Sequence, residues 1–385
     1  MKPIEAFRGI NNTAPPERHE PGELQIARDV DLDSTKALVS RRGRVPVPAI
    51  VGEVSSLWQA PAGLLMLFDG RVHSLPTGAG APVPLSPVLG CNDRLWFTQH
   101  PDNRIAWSNG LINGLIAADL LTAAPWGFDP PTDPGGVVEG DTPYWLTWVR
   151  LADGLESGPL YCGPTTRGQP IAGLEVRAGF ATAVYYALDG REGFYAGVTT
   201  TDTFTEADPT AKLTQPCNTK GLVRPPPGIC LTTWGARTLI AVGNAVVATS
   251  PYSREHTNPE RDFLQFPNAI TWLHGVDGGF FVGTEAQLLF MRGVKLDEMR
   301  QDTLRDAPVE LGSGVPADFT LMDAAARPGS IKGAFCVCGN EITCCGAGGA
   351  AVPYAAGRYK VPTMTGCWAT TRVREGVLQY LVSPA

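Results

Sequence analysis

The chain has 385 residues and a mass of 41.0 kDa, enough to bury a sizeable core in one large or two ordinary domains. Its 44 glycines and 34 prolines, about one residue in five, accompany 43% hydrophobic and 18% charged residues. That composition is too apolar for a disordered chain and too often broken for a helical one, so it predicts an all-β fold of short strands and tight turns. With 31 Lys and Arg against 38 Asp and Glu, the formal net charge is −7, which excludes a protein that coats nucleic acid through an overall basic face.

In chain order, residues 1–44 read as an N-terminal arm and first strand, and residues 45–385 as one β domain with no inserted domain. Asn11, Asn12, Pro15, Pro16, Pro21 and Gly22 break the arm, and Asp29, Asp31 and Asp33 then alternate with Val30 and Leu32 as in a strand. Leu64 to Phe68 ends at Asp69–Gly70 and alternation resumes from Arg71 to Leu75, the signature of a hairpin with a two-residue turn. Arg94 to Thr98 and Arg104 to Ser108 flank Pro101–Asp102–Asn103 in the same way. Tyr144 to Leu151 stops at Asp153–Gly154, and Ala181 to Leu188 and Gly193 to Thr199 flank Asp189–Gly190. Further pairs are Thr238 to Val242 with Ala245 to Thr249, and Ala334 to Cys338 with Glu341 to Cys345. Between them Ala269 to Leu273, Gly279 to Val282 and Gln287 to Met291 run in succession, and Thr371 to Val382 is expected as a single closing strand.

Hairpins of this form return at intervals of roughly 40 to 50 residues, the period of a four-stranded propeller blade. The expectation is a β-propeller of about five to seven blades with an extended N-terminal arm, with a sheet sandwich as the main competitor. Ring closure would pair the last strand with an early one such as Val30 to Val45, because an open edge leaves backbone groups unpaired. No apolar run approaches the roughly 20 residues of a membrane-spanning helix, and MKPIEAFRGINN lacks a secretory h-region, so synthesis in a cytosol is expected.

No catalytic, cofactor-binding or metal-ligating residue is assigned, and no enzyme activity or cofactor is expected. Asp29-x-Asp31-x-Asp33 opens like a calcium loop, but the sixth and twelfth positions hold Ser34 and Ser40 where that loop wants Gly and Glu. Nine cysteines, an odd number, fit reduced thiols better than a disulfide framework. If Gly339–Asn340 is a two-residue turn, Cys336 faces Thr343 and Cys345 faces Ala334. That register puts Cys336, Cys338 and Cys345 on one face and Cys344 on the other with Phe335, Val337 and Ile342. The C-x-C spacing and vicinal pair are not a zinc knuckle, so buried spectator thiols are expected over a metal site or a disulfide. His19, His73, His100, His256 and His274 are scattered and belong to no catalytic motif, and no phosphate-binding glycine loop is present. Trp96, Trp107, Trp145, Trp148 and Trp272 fall inside strands and are expected to fill core.

Three stretches resemble a known family. They are Gly9-Ile10-Asn11-Asn12 with Glu23 to Asp33 and Arg41-Arg42-Gly43, then Tyr144 to Gly158, then Asn244 to Gly293 with its Ala248-Thr249-Ser250-Pro251, Phe263-Leu264-Gln265-Phe266-Pro267 and Phe290-Met291-Arg292-Gly293. Together they cover about a third of the chain and resemble β-propeller-like structural proteins of tailed-bacteriophage tails, in the order that family shows. The resemblance implies a virion protein without catalytic residues, a nozzle or collar component that oligomerises around the tail axis. Its partners would be copies of itself and the adaptor, hub or fibre proteins of the tail. Viral DNA would pass without sequence recognition through a lumen that net negative charge keeps from sticking. The alternative is a receptor-binding tail-tip protein, in which exposed loops such as Pro251 to Pro267 touch the host cell surface. A glycan-degrading enzyme is the third class, and no carboxylate pair singles it out.

Overall fold

The computed structural model describes residues 8–26, 30–32, 38–40, 54–78, 81–87, 89, 94–135, 140–251, 253–322, 328–354, 357–374 and 376–385. Among these the chain is strands, turns and a few three-residue 3-10 turns, with no α-helix. The all-β expectation is met.

Turn chemistry explains the sheets. Asp69 and Gly70 both take positive φ (50° and 65°), the two-residue turn whose twist matches that of paired strands. They join Gly63–Phe68 to Arg71–Pro76 in the expected register, with Phe68 opposite Arg71. Gly339 and Asn340 repeat the geometry (φ 56° and 67°) between Lys332–Cys338 and Glu341–Gly346.

The chain divides into two compact units. Unit 1 holds residues 1–123, 227–246 and 264–385, and unit 2 holds 124–226 with 247–263. The segment 45–385, expected as one domain without an insertion, is therefore shared between them. Unit 1 is built on five four-stranded sheets, each running in sequence order from its first strand outward. Their first strands are Val54–Ala60, Trp96–Gln99, Ile229–Trp234, Ile270–Val276 and Val315–Asp318. Strand faces alternate, and the inward sets meet: Leu65, Leu67, Val72, Ile105, Trp107 and Ile116 form one core cluster. Trp272, Phe281, Phe290, Val309, Cys336 and Cys345 form another. All six residues of Gly279–Thr284 are buried, as befits an inner strand covered on both faces.

Unit 2 is a four-stranded antiparallel sheet in the order Leu160–Thr165, Thr142–Arg150, Phe180–Tyr186, Phe194–Thr199. Its two faces carry separate cores, Tyr144, Leu146, Val184 and Tyr186 on one and Trp145, Ala183, Tyr185 and Cys217 on the other.

The chain's end differs from expectation. The run read as one strand is a hairpin, Cys367–Arg374 with Val377–Pro384, turned at Gly376 (φ 78°). Among the described residues it pairs only with itself. Val30–Leu32 instead pairs antiparallel with Leu38–Ser40, and residues 41–45 lie outside the described set. The closing pair is therefore local, because Gly376, following the charged Arg374 and Glu375 in the sequence, takes the chain back on itself.

The described part of the arm is fastened to its own chain. Gly9–Ile10 pairs in parallel with Glu23–Leu24, and the Asn12 side chain exchanges two hydrogen bonds with the backbone of Lys360, both 2.9 Å. Thr13 Oγ1 donates to the Gly357 carbonyl at 2.6 Å, and Glu23, its carboxyl held below the usual range chiefly by the Asn11 amide, lies 3.7 Å from Arg358.

Candidate functional site: a cationic, tryptophan-lined cavity in unit 1

The first strands of the five sheets and the strand Cys367–Arg374 border a single cavity of about 960 Å³. That is near the upper end of the range of about 300–1,000 Å³ typical for small-molecule sites. Its wall carries rings and hydroxyls: Trp58, Trp96, Phe97, Trp272 and Trp368 supply the rings, and Thr98, Thr232, Thr233, Thr271, Thr370 and Thr371 the hydroxyls. Trp58 stacks on Phe97 with centroids 5.7 Å apart and planes at 21°, and Trp272 lies parallel to the His274 ring at 5.9 Å and 5°.

The charged groups are of one sign. Arg94 and Lys332 line the cavity, and no Asp or Glu does among the described residues. Arg94 enters from the lead-in to Trp96–Gln99, and its guanidinium lies 3.8 Å from the centre of the Trp368 ring while donating to the Cys367 carbonyl. Burial pulls its pKa below the ordinary arginine value, since desolvation penalises the charged form. It makes no ion pair with a carboxylate among the described residues. Lys332 is exposed. His274 sits neutral in the wall, its pKa pushed down to about 4 by burial against the opposing pull of the Gly333 backbone. His100, nearly fully buried, shares a hydrogen bond with Thr238 Oγ1 at 3.0 Å.

The cysteine hairpin has the expected register, with Cys336 opposite Thr343 and Ala334 opposite Cys345. Cys336, Cys338 and Cys345 share one core cluster, and Cys344 lies in another with Phe335. The Cys336 and Cys345 sulfurs are 3.9 Å apart, and burial drives the thiol pKa values of Cys338 and Cys344 up to about 12. Among the described residues no group of three or more His, Cys, Asp or Glu is placed to hold a metal ion. Of Asp29, Asp31 and Asp33, the first and last lie outside the described residues, and Val30–Leu32 is a strand.

Trp107, Trp145, Trp148 and Trp272 are buried core as expected, whereas Trp96 is half-buried and faces the cavity. The segment Pro251 to Pro267, expected as a loop, contains the strand Phe263–Gln265; Phe266 is buried, Phe263 is exposed at 42%, and Tyr252 lies outside the described residues. Unit 2 holds a second polar cluster that the sequence did not single out. There Glu156 Oε1 accepts from Tyr185 Oη at 2.6 Å and from Thr147 Oγ1 at 2.5 Å, and Arg150 pairs with both Asp153 and Glu255. Its polar groups satisfy one another.

No family model and no curated protein matches the chain. Among solved structures it is similar to PorZ, a surface component of the type-IX secretion system of Porphyromonas gingivalis, at 10% identity and a TM-score of 0.33 over 87% of this chain and 38% of that one. It is similar to the extracellular domain of a putative one-component system of B. thetaiotaomicron at 10% identity and 0.36, over 92% of this chain and 46% of that one. Citrobacter koseri AztD gives 10% and 0.38 over 84% and 79%. The chain thus spans less than half the length of the first two, and likenesses this distant say nothing of its role.

Proposed function

We propose that unit 1 is a β-propeller and that the chain is a non-enzymatic structural protein of a bacteriophage tail, oligomerising around the tail axis as a nozzle or collar component. The observation that carries the propeller reading is the ring of first strands. Five four-stranded sheets each contribute their first strand to the wall of one cavity, and the terminal hairpin contributes to it as well. Five sheets plus that hairpin give five or six blades, within the period read from the sequence. The tail reading rests on the resembling segments. Of these, Asn244 to Gly293 runs from the end of one sheet through three strands of the next, and Gly9 to Asn12 forms the anchored arm.

In this reading the mechanism is geometric: rigid sheet bodies side by side make a wall, and the tail's other proteins dock on its rims. The arm's bonds to Lys360 and Gly357 tie it down within its own chain, so subunit contacts would be made by the sheet bodies and unit 2. Electron cryomicroscopy of the purified protein and of virions tests this. A closed ring coaxial with the DNA path is expected. A monomer found only on peripheral spikes, with host-cell binding by the isolated protein, would refute the ring and favour the receptor-binding tail-tip alternative.

A further inference from the structure

We propose that the unit 1 cavity is a binding site for an acidic saccharide, an oligosaccharide carrying one or two carboxylate or sulfate groups. The starting point is Arg94. Guanidinium groups taken out of water are normally paired with a carboxylate, because an uncompensated buried charge is costly. Here the guanidinium is partly desolvated, its contacts are a neutral ring and a backbone carbonyl, and no described carboxylate reaches it. An anion bound beside it would complete the site. Lys332, opposite Asp318 in the sheet register, supplies a second cation to the same wall.

The remaining lining selects the kind of anion. Partly exposed Trp96 and Trp368 present flat apolar faces of the kind that cover the C–H face of a pyranose, and threonine hydroxyls and inner-strand backbone beside them can exchange hydrogen bonds with sugar hydroxyls. A volume of about 960 Å³ accepts several sugar units rather than a lone ion. Single-stranded nucleic acid also stacks on aromatic rings, but it carries a phosphate per nucleotide and is tracked by a groove of many cations. Two cations match one or two acidic groups. The inference goes beyond the structural reading above, and its test uses the isolated chain, so neither outcome depends on whether a ring forms.

The test titrates the full-length protein with sialyllactose, trigalacturonate, neutral maltotriose and an oligothymidylate, following tryptophan fluorescence and heat. One of the acidic sugars is expected to bind at least about tenfold more tightly than maltotriose, a difference of about 1.4 kcal/mol, with a change in tryptophan emission. Lys332→Glu, at an exposed position, is expected to weaken that binding by about tenfold or more while leaving the melting temperature and any maltotriose binding unchanged. Trp96→Ala is expected to weaken acidic and neutral sugars alike. Equal affinity for acidic and neutral sugars, absence of binding to both acidic sugars up to about 10 mM, or tighter binding of the oligothymidylate would each overturn the proposal.

Discussion

Gly314 is the point where one added methyl group tests the packing of unit 1. It stands just before the strand Val315–Asp318, and a Cβ built there falls inside the van der Waals envelope of the Trp272 indole, against Nε1, Cδ1 and Cε2. The indole is held by neighbouring rings. It is 5% exposed, lies parallel to His274 on one side, and stacks on Phe281 at 5.9 Å and 26°. Relief therefore requires the Val315–Asp318 strand or the Trp272 ring to shift, and overpacking of this kind costs about 1–3 kcal/mol. Because Trp272 also belongs to the cluster with Phe290, Val309 and Cys336, displacing it opens contacts there, and Gly314→Ala should fall at the upper end of that range. For a body of this size each kcal/mol moves the melting temperature by about 2–4 °C, so a drop of about 4–10 °C is expected in a thermal melt followed by tryptophan emission. Gly163→Ala is the control, a strand position with open space where the methyl would go and no positive φ to strain, and it should melt within about 1 °C of the parent. A Gly314→Ala protein that melts like the parent, with unchanged emission, would show that the indole does not seat on Gly314.

Further outcomes follow from the same structure. His274 is held to a pKa of about 4 against about 6.5 unfolded, so the unfolded chain binds the extra proton between those values. Stability should then be full above about pH 6.5 and fall by up to about 3 kcal/mol as pH drops towards 4, and in urea titrations across that window His274→Phe should flatten the slope. The eight described cysteines are all buried, with Cys162, Cys230, Cys338 and Cys344 pushed up to about 12. Iodoacetamide should leave these unmodified in the native protein and label them at the rate of unfolding, and fast labelling of Cys336 or Cys345 would contradict the packing. Deleting residues 377–385 removes Leu378 and Tyr380 from beside Phe335 and breaks the 2.7 Å bond from Tyr380 Oη to the Ser313 carbonyl. A loss of about 2–4 kcal/mol in chemical denaturation is expected, and an unchanged midpoint would mean the hairpin contributes nothing to unit 1.

What the sequence makes legible here is what local chemistry decides. Asp69–Gly70 and Gly339–Asn340 demand positive φ at two successive residues, so turn, register and face follow from a few letters, down to which thiols share a side. Pairing that skips a neighbour is not written locally. In unit 2 Thr142–Arg150 lies between Leu160–Thr165 and Phe180–Tyr186, and nothing in the apolar run Tyr144 to Leu151 says that it is a middle strand with a partner on each edge. Unit 2 uses the same strands and turns as unit 1, so composition does not mark where the chain passes between the units, at 123/124, 226/227, 246/247 and 263/264. Gly376 shows the opposite failure. A single glycine in a stretch of mixed charged and apolar residues can be a strand residue or a turn, and only the pairing of Val373 with Leu378 settles which. Arg94 and Trp368 meet solely because the inner strands converge, so no spacing rule could have joined them.

That last point bears on where DNA would run in the proposed ring. Net charge of −7 describes the whole chain, whereas the one large cavity bordered by the inner strands carries Arg94 and Lys332 and, among the described residues, no acid. A passage for DNA lined this way would hold phosphates instead of letting them slide, since each cation that meets a phosphate adds a salt-dependent attraction. At about 960 Å³ in all, the cavity is also too small to pass a duplex, whose major groove alone is about 12 Å wide. In the proposed assembly the DNA path therefore lies between chains, and the cavity of each subunit is left for a small anionic ligand. The two are separable by charge. Lys332→Glu should weaken acidic-sugar binding by about tenfold or more and leave ring formation and the ionic-strength dependence of DNA release from the virion unchanged, whereas a change in DNA release with the ring intact would place the cavity on the DNA path.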